Sequence, residues 1–534
     1  SASRIGPISK SISGLMTKLA VGSRSALTTA RVTPRSAVFS AVADVATTMS
    51  QPDRQLERFG NYWGESLIVN ETAIMDDDGN LLPRGQVGEL VHRGPNVMMG
   101  YYKDPKATEE ARKFGWHHTG DLALIDEHGE VLFLDRPGYN AAIQMLPEFE
   151  AATGIKVNYT TVPYENALGE QVRDFVAGGD LDIALIDLVW MGNFAENGWV
   201  VPSETFTKNA ELADPDLDMA DFFPLILDAF GSWNGVNYGL PFDNYSGLLF
   251  YNKCTLEAAG FDKPPATWQE VMDVYGPALT KDGKFAYALQ SKRNETQSAD
   301  SFARFLWPFG GSFLNAEFKS NLMSAESQAG LKFRQDLMKF MPEGIVAYDH
   351  AETVNAFAQG DVAMITEWSA FYSTVVSPET SKVADCVAIA PEPTGPAGRK
   401  PALGGFSLAV ASQADEAEQA AGWLFIQWVT SKANAGKYLE MGGVPGRQSA
   451  YADPALAETY KFIPALVESW KEGVPEFRPR FAEWPAITEI VQEWGTKMML
   501  GEVSIEDGSK MIGEKMEAVL AEAGYYDGKK PLAQ

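Results

Sequence analysis

Apolar and polar positions change period several times along this chain. Two pairs of short apolar runs flank X-Gly steps in its first quarter. Thr72-Ala73-Ile74-Met75 and Leu81-Leu82 surround Asp78-Gly79, while Leu122-Ala123-Leu124-Ile125 and Val131-Leu132-Phe133-Leu134 surround His128-Gly129. Such steps signal hairpins, because glycine takes positive φ at little cost; residues 60–130 should be β-rich. Val131 to Asp135 then reads as a short strand. Residues 140–152 place Ala141, Ala142, Met145, Leu146 and Phe149 at helical spacing, with Gly154 as the stop. Ile155 to Thr161 alternates as a strand, and residues 165–177 form a helix closed by Gly178-Gly179. Leu181 to Leu188 is a further apolar run. The succession strand, helix, strand, helix, strand predicts an α/β fold with parallel pairing. Ligands of open sheets sit beyond the carboxyl ends of the strands, here 136–140, 162–166 and 187–192.

The length, 534 residues, implies more than one domain. Apolar residues make up 45% and charged residues 22%, the profile of a globular chain. A net charge of −27 argues against nucleic acid and anionic membrane surfaces as partners. No apolar run approaches the roughly 18 residues of a spanning helix. Cys254 and Cys386 are too few for a disulfide framework or a cysteine-built zinc site, and whether they pair is open.

The composition is uneven. Residues 1–136 carry 15 basic and 17 acidic side chains, the remainder 29 and 54. Four of the five histidines precede residue 137, whereas eleven of the thirteen tryptophans follow it. Two sequences of different origin, joined near residue 136, account for this split. Residues 1–43 hold Arg4, Lys10, Lys18, Arg24, Arg31 and Arg35 with no acid, the composition of a targeting peptide or a disordered leader, expected here over 1–59.

Gly88-Glu89-Leu90-Val91, Arg93-Gly94-Pro95, Gly100-Tyr101-Tyr102, Trp116-His117-His118-Thr119-Gly120-Asp121 and Leu134-Asp135-Arg136 resemble the closing motifs of acyl-CoA synthetases, the adenylate-forming family. The resemblance implies ribose binding by Asp121 and Arg136. The family's upstream phosphate loop ending in Pro-Lys has no counterpart before residue 60, and Pro137-Gly138-Tyr139-Asn140 stands where the hinge and the domain with the catalytic Lys should begin. Charge developing on an α-phosphate would therefore lack a stabiliser. An adenylate-forming enzyme fragment, or a chimera of two proteins, is the alternative reading.

Pro147-Glu148-Phe149-Glu150, Thr153-Gly154-Ile155-Lys156-Val157, Gly178-Gly179-Asp180, Asp182-Ile183-Ala184, Asn197-Gly198-Trp199, Tyr238-Gly239-Leu240-Pro241, Phe250-Tyr251-Asn252-Lys253, Pro265-Ala266-Thr267-Trp268, Gly360-Asp361-Val362-Ala363-Met364, Gly404-Gly405 and the helix Ala420 to Thr430 resemble, in order, the bacterial family 1 extracellular solute-binding proteins of sugar ABC transporters. The resemblance implies a two-lobed periplasmic-binding-protein (Venus flytrap) fold over 137–534. Lobe 1 is expected over 131–245 with 400–440, lobe 2 over 246–399, and helices packing on both over 441–534. The chain should cross between lobes near 242–249 and 390–404, where Pro391 to Gly398 is rich in Pro and Gly. One departure stands out: the strand that should open lobe 1 overlaps the synthetase-like Val131 to Arg136, and either sequence could supply it.

The implied ligand is a carbohydrate or polyol held in the cleft by hinge closure, with membrane ABC permease subunits as partners, a monomeric state and a periplasmic or membrane-tethered extracellular location. Aromatic rings cover the C–H faces of a sugar, and carboxylates and amides satisfy its hydroxyls. The resemblance points to Trp368 as a stacking residue, to Tyr245 and Asp243 at the first crossing, and to Tyr139 and Asn140. Asp187 and Trp190 end an expected strand, and Trp307, Gly405, Phe406 and Trp484 complete the set of substrate-binding candidates. Trp199, Trp233, Trp268, Trp423, Trp428, Trp470 and Trp494 read as packing. Gly-x-Ser-x-Gly, Walker and His-Glu-x-x-His signatures are absent, so no catalysis, cofactor or metal is expected. A cationic ligand such as a polyamine is the other option that the acidic balance leaves.

Overall fold

The computed structural model describes residues 71–76, 79–83, 88–93, 97, 111–125, 131–133, 137–158, 164–293, 297–378, 380–527 and 530. Two compact units divide the chain, Ser1–Leu134 and Asp135–Gln534. The expected leader, 1–59, lies outside the described residues.

The first unit is an antiparallel sheet in the order β2-β1-β3-β4-β5. Its strands are β1 (Glu71–Met75), β2 (Leu81–Leu82), β3 (Gly88–Arg93), β4 (His117–Ile125) and β5 (Val131–Phe133). β1 and β2 form a hairpin in which Ile74 faces Leu82 and Gly79 takes a φ of +85°, as the alternating pattern predicts. Met75, Val91 and Trp116 make a small core. Arg136 lies outside the described residues, and so does the side chain of Asp121.

β5 decides the question at the junction. It pairs with β4, Ala123 opposite Phe133 and Ile125 opposite Val131, so Val131–Phe133 completes the synthetase-like sheet instead of opening the first lobe. The helix Pro137–Thr153 follows, beginning three residues earlier than its apolar spacing shows. The strand expected at Ile155 to Thr161 is not formed over 155–158, and 159–163 lie outside the described residues. Ile155 and Val157 are half-buried against the core all the same. Parallel pairing over 131–188 is likewise not formed among the described residues. β6 (Ile183–Asp187) pairs instead with β13 (Leu403–Val410), antiparallel. An alternating segment becomes a strand only when a neighbour supplies a ladder, and the sequence does not reveal that neighbour.

The second unit is organised by one strand. After the short hairpin of β7 (Ser232–Trp233) and β8 (Val236–Asn237), β9 (Gly239–Asn252) runs for 14 residues and is buried almost throughout. Its first part pairs with β13, from Ala409 opposite Gly239 to Leu403 opposite Ser246. Its second part pairs with β11 (Val362–Trp368) on one side and β12 (Val387–Pro391) on the other, Gly247 facing Trp368 and Leu248 facing Pro391. β10 (Phe285–Leu289) adds to β11 in parallel. The ladder thus changes partners between Ser246 and Gly247, which divides the unit into two α/β lobes. The return crossing lies between Pro391 and Leu403 and is fastened to the first, since Gly247 N and Ser246 Oγ both donate to Ala402 O, at 2.9 and 3.0 Å.

Helices cover both lobes. Glu416–Val429 starts with a capping box, Asp415 accepting from Ala417 N and Glu418 N while Glu418 caps in return. It buries Trp423, Phe425, Ile426 and Val429, with Phe425 and Trp428 against Phe149 at 5.3 and 5.2 Å between ring centres. Cys254 and Cys386 form a disulfide, Cα atoms 5.4 Å apart, that ties the end of β9 to the start of β12. No helix among the described residues is long and apolar enough to cross a membrane.

Candidate functional site

The lobes meet where β6 and β11 end and β13 begins. Asp187 closes β6 opposite Phe406, and its buried carboxylate accepts from the Tyr164 hydroxyl at 2.7 Å and from Val189 N at 3.2 Å. Tyr164 lies flat against Trp190, ring centres 5.5 Å apart at 15°, and edge-on to Phe406 at 6.1 Å. Asp187, Trp190 and Phe406, three expected site residues, are therefore assembled around Tyr164. Phe406 sits at an irregularity of β13, preceded by Gly405 with φ +118°. A Cβ at Gly405 would stand 2.2 Å from Asp243 O, so only glycine lets the two crossing strands approach here.

From the second lobe comes Trp368, buried at the end of β11. Its ring lies over Gly404, where an added Cβ would come within 2.8 Å. Glu367 beside it holds His350 Nδ1 at 2.9 Å and accepts from Trp368 N at 2.9 Å, which fixes the turn after the strand. Arg478, from the segment following the turn Pro475–Phe477, joins the two sides. Its guanidinium is 3.4 Å from Asp187, 3.4 Å from Asp300 and 5.7 Å from the centre of the Trp368 ring. Burial alone would lower the pKa of Arg478, but Asp300 and Asp187 outweigh it and raise it. Asp300 is pushed up to about 6, chiefly by burial, with Arg478 and Arg304 opposing. Burial also raises Glu392, against the pull of Arg304 and Arg399.

Trp307 is half-buried and donates to Phe477 O at 3.1 Å, next to Arg478. Asp243 and Tyr245 face the C-terminal layer: Asp243 accepts from the Tyr245 hydroxyl and, at 2.8 Å, from Val444 N, while Trp470 Nε1 donates to Tyr245 O at 3.5 Å. Trp484 packs edge-on to Phe313 at 4.9 Å. Tyr139 and Asn140 belong to the helix Pro137–Thr153, and their side chains lie outside the described residues.

Sequence reasoning passed over Tyr164, Gln290, Asp300, Arg304 and Arg478. Tyr164 lies inside 162–166, one of the strand ends already marked. Gln290 directly follows β10, where the same carboxyl-end rule applies. Asp300 and Arg304 stand one helical turn apart, a spacing that usually means a solvated pair, and Arg478 has no sequence signal. Among the described residues no group of three or more His, Cys, Asp or Glu is placed to hold a metal ion.

Comparison with known proteins bears on both units. The family of AMP-binding enzymes matches residues 40–102. A long-chain-fatty-acid–CoA ligase of Escherichia coli is 52% identical over 66 residues, 12% of this chain and 12% of that enzyme. This bears out the resemblance of the first unit to a piece of such an enzyme. A probable amino-acid ABC transporter periplasmic-binding protein of Sinorhizobium fredii is 26% identical over 347 residues, 64% of this chain and 77% of that protein. An ABC transporter solute-binding protein of Agrobacterium radiobacter K84, solved in complex with ribitol, is 25% identical with a TM-score of 0.66, covering 72% of this chain and 96% of that one. The bacterial extracellular solute-binding protein family matches residues 135–436. With two lobes sharing one long strand, a cluster of buried polar groups where they meet, and this match over more than half of its length, the protein belongs to the family of bacterial extracellular solute-binding proteins.

Proposed function

We propose that this protein is the substrate-binding component of an ABC importer, and that it takes a carbohydrate or polyol between its lobes without altering it. Support comes chiefly from the pairing of aromatic and polar groups across the cleft. Tyr164, Trp190 and Phe406 on one side and Trp368 on the other offer ring faces, while Asp187, Gln290, Asp300, Arg304 and Arg478 offer buried hydrogen-bonding atoms. Ring faces and fixed polar groups together suit a molecule with apolar C–H faces and a rim of hydroxyls. The ribitol carried by the Agrobacterium relative agrees with this ligand class. Location outside the cytoplasm, a monomeric state, delivery to membrane permease subunits and the absence of catalysis belong to the same proposal, and the Cys254–Cys386 disulfide suits an oxidising compartment. Titration with alditols, monosaccharides, oligosaccharides and amino acids tests it through tryptophan fluorescence and melting temperature. A ligand at a hundred times its Kd should stabilise the fold by about 2.7 kcal/mol; a shift with amino acids alone, or with no sugar or polyol, overturns the ligand class.

The AMP-binding match favours a second reading, adenylate formation by the first unit. ATP–pyrophosphate exchange with carboxylic acids decides it, and measurable exchange would establish it. An intact mass of 58.3 kDa would show that both units belong to one chain.

A further inference from the structure

Five buried charges alternate in sign from the return crossing to the first lobe: Glu392, Arg304, Asp300, Arg478 and Asp187. Glu392 Oε1 is 3.5 Å from Arg304 Nη2. Arg304 stands one helical turn after Asp300, its N donating to Asp300 O at 3.0 Å. Asp300 Oδ1 is 3.4 Å from Arg478 Nε, and Arg478 Nη2 is 3.4 Å from Asp187 Oδ1.

Buried ions are tolerated when their charge is paired and their hydrogen bonds are made. Here the first condition is met and the second only in part: Asp187 accepts from Tyr164 and Val189, and Arg478 Nη2 donates to Asp187 Oδ1 and, at 3.3 Å, to Leu403 O. Each guanidinium already faces carboxylates, yet Arg304 Nε, Nη1 and Nη2, Arg478 Nε, Asp300 Oδ1 and Glu392 Oε1 have no hydrogen-bond partner among the described residues. Gln290, fully buried beyond β10, leaves both Nε2 and Oε1 unpartnered. What this region lacks is hydrogen bonds, not charge. A hydroxyl donates and accepts without adding charge, so a row of hydroxyls fills the deficit. A ligand carboxylate or phosphate could reach the open N–H groups, but it would enter a site that already holds three carboxylates against two guanidiniums, and that excess of negative charge opposes it.

We propose that the chain Glu392–Arg304–Asp300–Arg478–Asp187 is the specificity-determining element of the cleft, admitting uncharged hydroxyl-bearing ligands and rejecting their acidic counterparts. The proposal rests on the reading of the cleft as a carbohydrate or polyol site. It assigns Asp300 a specific part, since this carboxylate, 3.4 Å from Arg478 and one helical turn before Arg304, offsets the positive charge that an incoming anion would meet.

Calorimetric titration of the full chain tests it with alditols, mono- and disaccharides, each set beside its matched aldonate or sugar phosphate. The wild-type protein should prefer the uncharged member by about a hundredfold or more, the cost of one more uncompensated buried charge. Asp300→Asn keeps a hydrogen-bonding group and removes that offset, and should narrow that preference about tenfold or more. Glu392→Gln removes the charge at the other end and should act in the same direction. A general loosening of the fold weakens both ligands together and leaves their ratio unmoved. An unchanged ratio in either variant that folds, judged by circular dichroism, overturns the proposal, as does equal binding of charged and uncharged members by the wild type. A panel in which no uncharged member binds overturns the reading of the cleft as well, so the two failures are told apart.

Discussion

Gly247 and Glu392 contend for the same point between the lobes. A Cβ added to Gly247 would lie 1.9 Å from Glu392 Oε1, so the residue at which β9 changes partners is glycine because a buried carboxylate of the return crossing fills the place of a side chain. Gly247→Ala should push Glu392 off Arg304 and leave a buried charge poorly compensated. The expected loss is about 2–4 kcal/mol, read as a lower urea midpoint. A midpoint within error of the wild type would show that the crossing yields to the added methyl.

Trp368 ends β11 on the second lobe's side of the candidate site. Trp368→Leu keeps an apolar filler over Gly404 but removes the ring face, so affinity for the proposed sugar or polyol should fall about tenfold or more. Isothermal calorimetry checks this, and an unchanged Kd would take Trp368 out of the ligand's surroundings.

The disulfide closes a loop spanning a sequence separation of 132. Cys386→Ser should cost about 2–4 kcal/mol, because the unfolded chain regains the freedom of that long loop. Equilibrium unfolding of the variant measures this, and reduction with dithiothreitol should lower the wild type to the same midpoint.

Asp300 sets a pH dependence whose sign follows from its environment. Its pKa is raised from the model-peptide value of 3.8 to about 6 by burial. In that window the folded chain binds a proton that the unfolded chain has released. The contribution of Asp300 to stability is thus fully present below pH 3.8 and is lost as pH rises through about 6. Subtracting the stability curve of Asp300→Asn from that of the wild type should isolate a fall with rising pH between these values. A flat difference would mean that Arg478 and Arg304 hold the carboxylate ionised.

Several local elements could be read from pattern, and the two-lobed architecture from the family resemblance of the ordered motifs. The hairpin at Gly79, the apolar face of the helix Pro137–Thr153 and the strand ending at Asp187 each rest on spacing within a few residues, and such spacing acts before any distant contact forms. The ordered motifs after residue 136 did the rest. The candidate site was only partly legible: Asp187, Trp190, Phe406 and Trp368 were marked because they end strands or follow a motif, and the fold brings them to the place where the lobes meet. Arg478 was missed because nothing near it in sequence marks it; Asp187 is 291 residues away.

The sequence alone determined which segments are apolar and at what spacing, and that two unlike sequences are joined near residue 136. Tertiary structure decided which sheet received Val131–Phe133, that β6 pairs with β13 instead of a parallel neighbour, that Cys254 meets Cys386, and that five charges share one buried path. The reason is physical. Periodicity reports only that one face of an element will be covered, whereas ladder pairing, disulfide geometry and charge compensation depend on groups brought together from hundreds of residues apart.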